Sequence, residues 1–335
     1  MHKLLILVFL AVVSACINFS TPKIDIVSVV DRQVFVNQSP YIIKGICYHP
    51  VPLGSDVRSF NKLEEDLQLM KNAGINTIRV YSPIADRNVL NKVDSMGMKL
   101  IISFGFNQNG NYDILSGSFI NYVREFKTHN AILFWELGNE YNYHPEWFEG
   151  DMKNWYRAMN DAAKLIHRTD AFHPVATAHG DLPDSLALSI GSAIDVWGMN
   201  VYRWDNPKQI FSEWEKISEK PMYLAEAGAD SYMSIPKDGY QQGPNEKAQA
   251  DATLAILKDI FAHQDICSGV CLFSFTDGWW KAGSNASIDP GGFAPESSGV
   301  PYDGTANEEY WGITKIDREP KDAYYVVEAI YSKGK

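Results

Sequence analysis

The sequence predicts a single (β/α)8 barrel preceded by a short β-hairpin. Three observations predict it. From about residue 42 to the end, eight short runs rich in β-branched and aromatic residues alternate with longer amphipathic stretches. Eight strands, each followed by a helix, argue for a closed parallel barrel. An open doubly wound sheet would normally carry a Gly-rich phosphate turn after its first strand, and no such turn follows the first run here.

The elements follow in chain order. Before residue 42 the chain reads as a hairpin, with turns at Asp31-Arg32 and at Asn37-Gln38-Ser39-Pro40, capping the bottom of the barrel. Strands are expected at 43–48, 76–81, 98–104, 131–137, 174–178, 194–200, 221–226 and 268–275. Helices are expected at 59–73, 86–96, 116–128, 150–168, 183–190, 207–218, 245–263 and 320–332. In the seventh helix Leu254, Leu257, Ile260 and Phe261 recur at helical spacing, with Ile256 at the edge of that stripe. The stretch 276–312 is rich in Gly, Ser, Asn and Pro and lacks periodicity. Following the eighth strand, it falls at the C-terminal face, where barrels carry their sites. No repeat or low-complexity linker interrupts this pattern, so residues 24–335 read as one domain.

The chain has 335 residues, of which 45% are hydrophobic and 13% aromatic, enough for one large core. Its formal charge is −11 with no basic run, which argues against a nucleic-acid partner. Met1-His2-Lys3 precedes an apolar run, Leu4 to Val13, too short for a membrane span. Val13-Ser14-Ala15-Cys16 then places small residues before a cysteine, which reads as a secretory signal over residues 1–15. The segment resembles a bacterial lipoprotein signal. That resemblance implies a lipid on Cys16 and anchorage to a membrane facing the periplasm or cell surface; the alternative is an ordinary signal cut near Ala15. No later segment is long and apolar enough to cross a membrane. Cys267 and Cys271 lie too far apart along a strand to bridge each other. Cys47 and Cys271 could meet if the first and last strands adjoin, and buried free thiols are an equal alternative. No cysteine–histidine spacing suggests zinc, and no metal or cofactor is expected.

The strand ends carry the chemistry. His49, Arg79, Tyr81, Asn139, Glu140, His179, Asn200, Tyr202, Glu226, Trp279 and Trp280 all fall at or just past them. Two are carboxylic acids, Glu140 after the fourth strand and Glu226 closing the seventh. Retaining glycoside cleavage uses two carboxyl groups about 5–5.5 Å apart, one protonated and one ionised. Strands four and seven face each other across an eight-stranded ring, so these two can flank one sugar. Glu136 lies within the fourth strand and reads as a barrel-wall or ion-pair residue. Trp204, Trp279 and Trp280 are candidate stacking platforms for pyranose faces. Trp147 is a weaker one, and His49 and His179 are candidate sugar contacts.

At these strings the chain resembles the large clan of retaining glycoside hydrolases with catalytic glutamates on strands four and seven. Tyr41-Ile42-Ile43-Lys44-Gly45 and Gly74-Ile75-Asn76-Thr77-Ile78-Arg79-Val80-Tyr81 are similar both to the family 2 barrel and to the family 72 β-1,3-glucanosyltransferases. Leu137-Gly138-Asn139-Glu140, Ala225-Glu226-Ala227-Gly228-Ala229-Asp230, Trp311-Gly312-Ile313 and Arg318-Glu319-Pro320-Lys321 look more like family 2. The resemblance implies Glu140 as acid/base and Glu226 as nucleophile. It further implies Asn139 on the sugar 2-hydroxyl, Arg79 beneath Glu226, and Tyr202 hydrogen-bonded to Glu226. The chain departs from both patterns. It has no room for the sandwich domains that usually precede a family 2 barrel, and it lacks the paired cysteines of family 72. The expected activity is hydrolysis of a β-linked oligo- or polysaccharide, with β-1,3-glucan the first guess. Transglycosylation and glycan binding without turnover are the alternatives.

Overall fold

A computed structural model describes residues 24–107, 111–203, 208–237, 239–281, 293–295, 299–300 and 303–332. Eight parallel strands close into a barrel: β1 (Ile43–Cys47), β2 (Thr77–Val80), β3 (Lys99–Phe104), β4 (Ile132–Leu137), β5 (Val175–Gly180), β6 (Val196–Asn200), β7 (Met222–Ala227) and β8 (Cys267–Leu272). Each pairs with its sequence neighbour, and β8 pairs with β1 to close the ring. The helices that follow them are α1 (Leu63–Asn72), α2 (Arg87–Ser95), α3 (Phe119–Phe126), α4 (Met152–Thr169), α5 (Ser185–Ile190), α6 (Lys208–Ile217), α7 (Glu246–Ala262) and α8 (Asp322–Tyr331). Every expected strand and helix is present, with ends displaced by a few residues.

Strand alternation explains why the eight strands are buried almost throughout, one face on the lumen and the other on the helices. Successive side chains point to opposite faces. On β7, Met222 and Leu224 face the helix layer while Tyr223 and Ala225 face the lumen. The helices are fixed by caps as well as by packing. Asp151 accepts from the Lys153 backbone N–H at 2.9 Å and Asn245 from that of Ala248 at 3.1 Å, satisfying donors that a helix start leaves open.

Two details differ from the sequence reading. The N-terminal segment is a three-stranded meander, Val27–Val30, Gln33–Val36 and Ser39–Pro40. Asn37 and Gln38 alone make its second turn, both at positive φ, which frees Ser39-Pro40 to pair back. The meander does close the bottom of the barrel: Val27 and Val34 join the lumen cluster, and the Val27 N–H donates to the Phe172 carbonyl at 2.9 Å. On α7 the buried stripe is rotated. Ile256 is buried with Leu257 and Ile260, whereas Leu254 and Phe261 are only half-buried, because α8 lies alongside and draws those two into a groove between the helices.

One buried ion pair ties the C-terminal turn to the barrel. Arg318 grips Asp66 of α1 with two hydrogen bonds, 2.8 and 3.1 Å, and Tyr48 donates to the same carboxylate at 2.5 Å. Asp66 is fully buried and Arg318 nearly so. Breaking such a pair from one side leaves a buried charge alone, at about 3–5 kcal/mol. Asp66→Ala is therefore expected to lower the free energy of urea unfolding by about that amount, while Asp66→Leu combined with Arg318→Met costs clearly less than the single change.

Candidate active site

The C-terminal mouth of the barrel opens into a cleft of about 930 Å³. Its floor is set by Arg79 of β2, which is fully buried. The guanidinium donates from Nε to both oxygens of Glu136 at 3.0 Å, from Nη1 to Glu226 at 2.9 Å, and from Nη2 to the Asn139 side-chain carbonyl at 2.7 Å. Glu136 also accepts hydrogen bonds from Ser103 of β3 and Tyr223 of β7. The glutamate within the fourth strand is thus the buried counter-ion of Arg79.

Glu226 sits at a register shift near the end of β7, where it pairs with Asn200 of β6. Such an irregularity re-aims a side chain. Its Oε1 accepts from Arg79 and from the Tyr81 hydroxyl at 2.7 Å, and its Oε2 from the Tyr202 hydroxyl at 2.7 Å. All its partners are donors, so the group is held as an acceptor, which suits a carboxylate.

Glu140 has a different environment. It follows β4 through two left-handed residues, Gly138 at φ 72° and Glu140 itself at φ 56°. Gly138 cannot carry a side chain, since a Cβ there would lie 2.5 Å from the Trp155 ring. The turn presents Glu140 to the cleft, while its backbone N–H donates to Ala178 at 2.9 Å. Burial, and then the Glu226 charge, push its carboxyl up to about 7, against a smaller opposing hydrogen bond from Asn200. Two carboxyl groups in one cleft therefore differ: one is ringed by donors, the other keeps its proton up to the neighbourhood of neutral pH.

The remaining expected residues divide. His49, Tyr81, Asn139, Asn200, Tyr202 and Trp280 line the cleft with the two glutamates, and Arg79 lies directly beneath it. His49 is uncharged near neutrality, because burial and then the charges of Arg58 and Lys281 bring it down to about 4. Its ring lies against Trp280, with centroids 5.1 Å apart.

His179 and Trp279 are not in the lining. His179 points outward from β5, 3.3 Å from the Tyr156 hydroxyl of α4 and beside Trp197, because alternation along the strand sends it to the helix layer. Trp279 is fully buried; of the adjacent pair only Trp280 turns to the cleft. Trp147 is exposed and stacks on His144 at 3.9 Å, outside the lining. Trp204 and Cys16 lie outside the described residues. Cys47, Cys267 and Cys271 are buried free thiols. Cys47 lines the base of the cleft, and burial raises it to about 12, so it stays a thiol.

The structure adds residues that strand ends alone did not single out: Tyr143, Asp181, Arg203, Phe273, Lys281, Glu308 and Trp311. Most sit on loops whose path no periodicity reveals. Phe273, just past β8, was accessible to the strand-end rule, and Trp311 stood in a string noted only for its resemblance. Lys281, Glu308 and Trp311 come from the long segment after β8 and line the cleft.

A closed (β/α)8 barrel presenting two carboxyl groups of unlike environment in one cleft is the site class of the retaining glycoside hydrolases. The model for the family 2 glycosyl hydrolase TIM barrel domain matches residues 27–252, and the chain belongs to that family. Of the two families whose motifs the sequence resembles, the match is to family 2. No curated protein matches. Among solved structures the chain is similar to a family 2 β-galacturonidase from Eisenbergiella tayi bound to galacturonate (TM-score 0.69, 19% identity, 92% of this chain and 54% of that one). It is similar also to a β-D-glucuronidase from Dictyoglomus thermophilum (0.69, 17%, 93% and 54%) and a β-glucuronidase from Bacteroides uniformis (0.72, 18%, 93% and 38%). The chain therefore spans about half, or less, of the length of these proteins, and at such identities the likeness is one of fold.

Because the Glu226 charge contributes to the raised Glu140 carboxyl, Glu226→Gln should move the Glu140 titration downward while leaving it above an exposed glutamate, since burial remains. Carbon-13 NMR of the labelled carboxyl over pH 4–9 reads this directly.

Proposed function

We propose that this protein hydrolyses β-linked glycosides by double displacement. Glu226 attacks the anomeric carbon, and Glu140 gives its proton to the leaving oxygen. The glycosyl–Glu226 ester is then opened by water that Glu140, now a carboxylate, deprotonates, so configuration is retained. The observation that carries the reading is the unlike environment of the two glutamates in one cleft. Membership of family 2 supports the same chemistry.

The neighbouring residues have natural roles in this scheme. Arg79, Tyr81 and Tyr202 hold the nucleophile in place by donating to its two oxygens. Asn139 is held by Arg79 through its carbonyl, which leaves its amide N–H groups for the sugar 2-hydroxyl. Trp280 and Trp311 offer aromatic faces to the pyranose. The β-1,3 linkage suggested by the family 72 resemblance draws no support from the structural neighbours, whose names specify uronides. A lipid on Cys16, and with it membrane anchorage, remains part of the proposal on the strength of the N-terminal sequence.

The test is turnover of aryl β-glycosides, with product configuration followed by proton NMR. Glu140→Gln should lower kcat/KM by roughly 10²–10⁴ for phenyl glycosides and much less for dinitrophenyl glycosides, whose leaving group needs no acid. Glu226→Gln should abolish turnover of both. In the wild type kcat/KM should fall as pH rises through about 7, where Glu140 loses its proton. First-formed product of inverted configuration would sink the scheme.

A further inference from the structure

We infer that the cleft selects neutral β-glycosides over the matching uronides. The inference deepens the glycosidase reading and rests on it. A hexose and its uronate differ only at C6, where a hydroxymethyl group is replaced by a carboxylate. Taking that carboxylate out of water requires a cation or several donors free to meet it.

Among the described residues the cleft lining holds two cations, and both are already paired. Lys281 binds Glu308 at 2.7 Å and lies over the Phe273 ring at 4.5 Å. Arg203 forks onto the Asp181 carboxylate, with one bond of 2.8 Å, and reaches Glu213 at 2.6 Å through its remaining arm. Arg79, beneath the floor, is saturated by Glu136, Glu226 and Asn139. Arg58, behind His49, gives both arms to the carbonyls of Ser82 and Pro83 and does not line the cleft. The lining carries four acids, Glu140, Asp181, Glu226 and Glu308, so its charge balance is negative even with Glu140 protonated.

Of the polar atoms left over, Asn200 points the same way, while the donor Trp311 Nε1 can serve a hydroxyl and a carboxylate alike. His49 Nδ1, Asn200 Oδ1 and Trp311 Nε1 have no partner among the described residues, and all three belong to uncharged side chains of the lining. The orientation of Asn200 follows from the chain of bonds beneath it. Arg79 can only donate, so it meets the Asn139 oxygen; that oxygen in turn accepts the Asn200 amide at 3.1 Å. The spare atom of Asn200 is thus an acceptor, which a sugar hydroxyl satisfies and a carboxylate cannot.

The experiment is calorimetric binding of matched phenyl 1-thio-β-glycosides, which are not hydrolysed: glucoside against glucuronide and galactoside against galacturonide, at pH 6.5 with wild-type protein. At least one neutral member should bind about tenfold or more tightly than its uronate twin, a difference of about 1.4 kcal/mol. In Glu308→Gln, which releases Lys281, that ratio should narrow by about tenfold. Equal or tighter binding of the uronate by the wild type would overturn the inference, as would no binding of any of the four. A ratio unmoved in Glu308→Gln would overturn the role given to the Lys281–Glu308 pair. Neutral binding without turnover of the oxygen-linked glycosides would instead leave the selectivity standing and remove the hydrolase reading.

Discussion

Burying the Arg79 charge constrains everything above it. A guanidinium in the barrel lumen is cut off from water and would cost several kcal/mol if left unpartnered. Its partners come from β4 and β7 and from the turn after β4: Glu136, Glu226 and Asn139. Glu136 is itself completed by Ser103 and Tyr223 from β3 and β7. Four strands are thus locked together at the level where the lumen stops being apolar and the cleft begins. The register of those strands is a condition for satisfying that charge. The same bonds fix where the Glu226 carboxylate stands.

Above that floor the two glutamates are separated by environment more than by type. Glu226 receives Arg79, Tyr81 and Tyr202. Glu140 arrives on a left-handed turn that Gly138 makes sterically feasible; it is desolvated and faces the charge of Glu226. Burial first, and the nearby Glu226 charge second, raise the affinity of Glu140 for its proton. The outer cleft continues the theme. Among the described residues its cations are matched by acids across segments after β5, β6 and β8. The likeness in fold to proteins named for uronides says nothing about this layer, because loops vary where a barrel does not.

Much of this was legible in the order of residues. Alternation of strand-like and helix-like runs determined the (β/α)8 barrel, since each run buries only with its own period. Closure of the ring then put the ends of strands four and seven in one mouth, which is why Glu140 and Glu226 could be named together. Their local strings carried the family. The reading of Glu136 as an ion-pair residue also follows from sequence, because a carboxylate inside a buried strand needs a counter-ion.

What only the tertiary structure decided concerns direction and loops. His179 and Trp279 are at or past strand ends like His49 and Trp280, yet alternation along β5 sends His179 to the helix layer and Trp279 is buried away from the cleft. The stripe on α7 turned with the position of α8, which a single-helix pattern does not contain. The pairing of Lys281 with Glu308 and of Arg203 with Asp181 joins residues about twenty or more positions apart on segments without periodicity. The sequence determined which side chains were present at the mouth of the barrel; only the folded chain decided which of them face inward and which charges cancel, because both depend on distances between segments that no local pattern encodes.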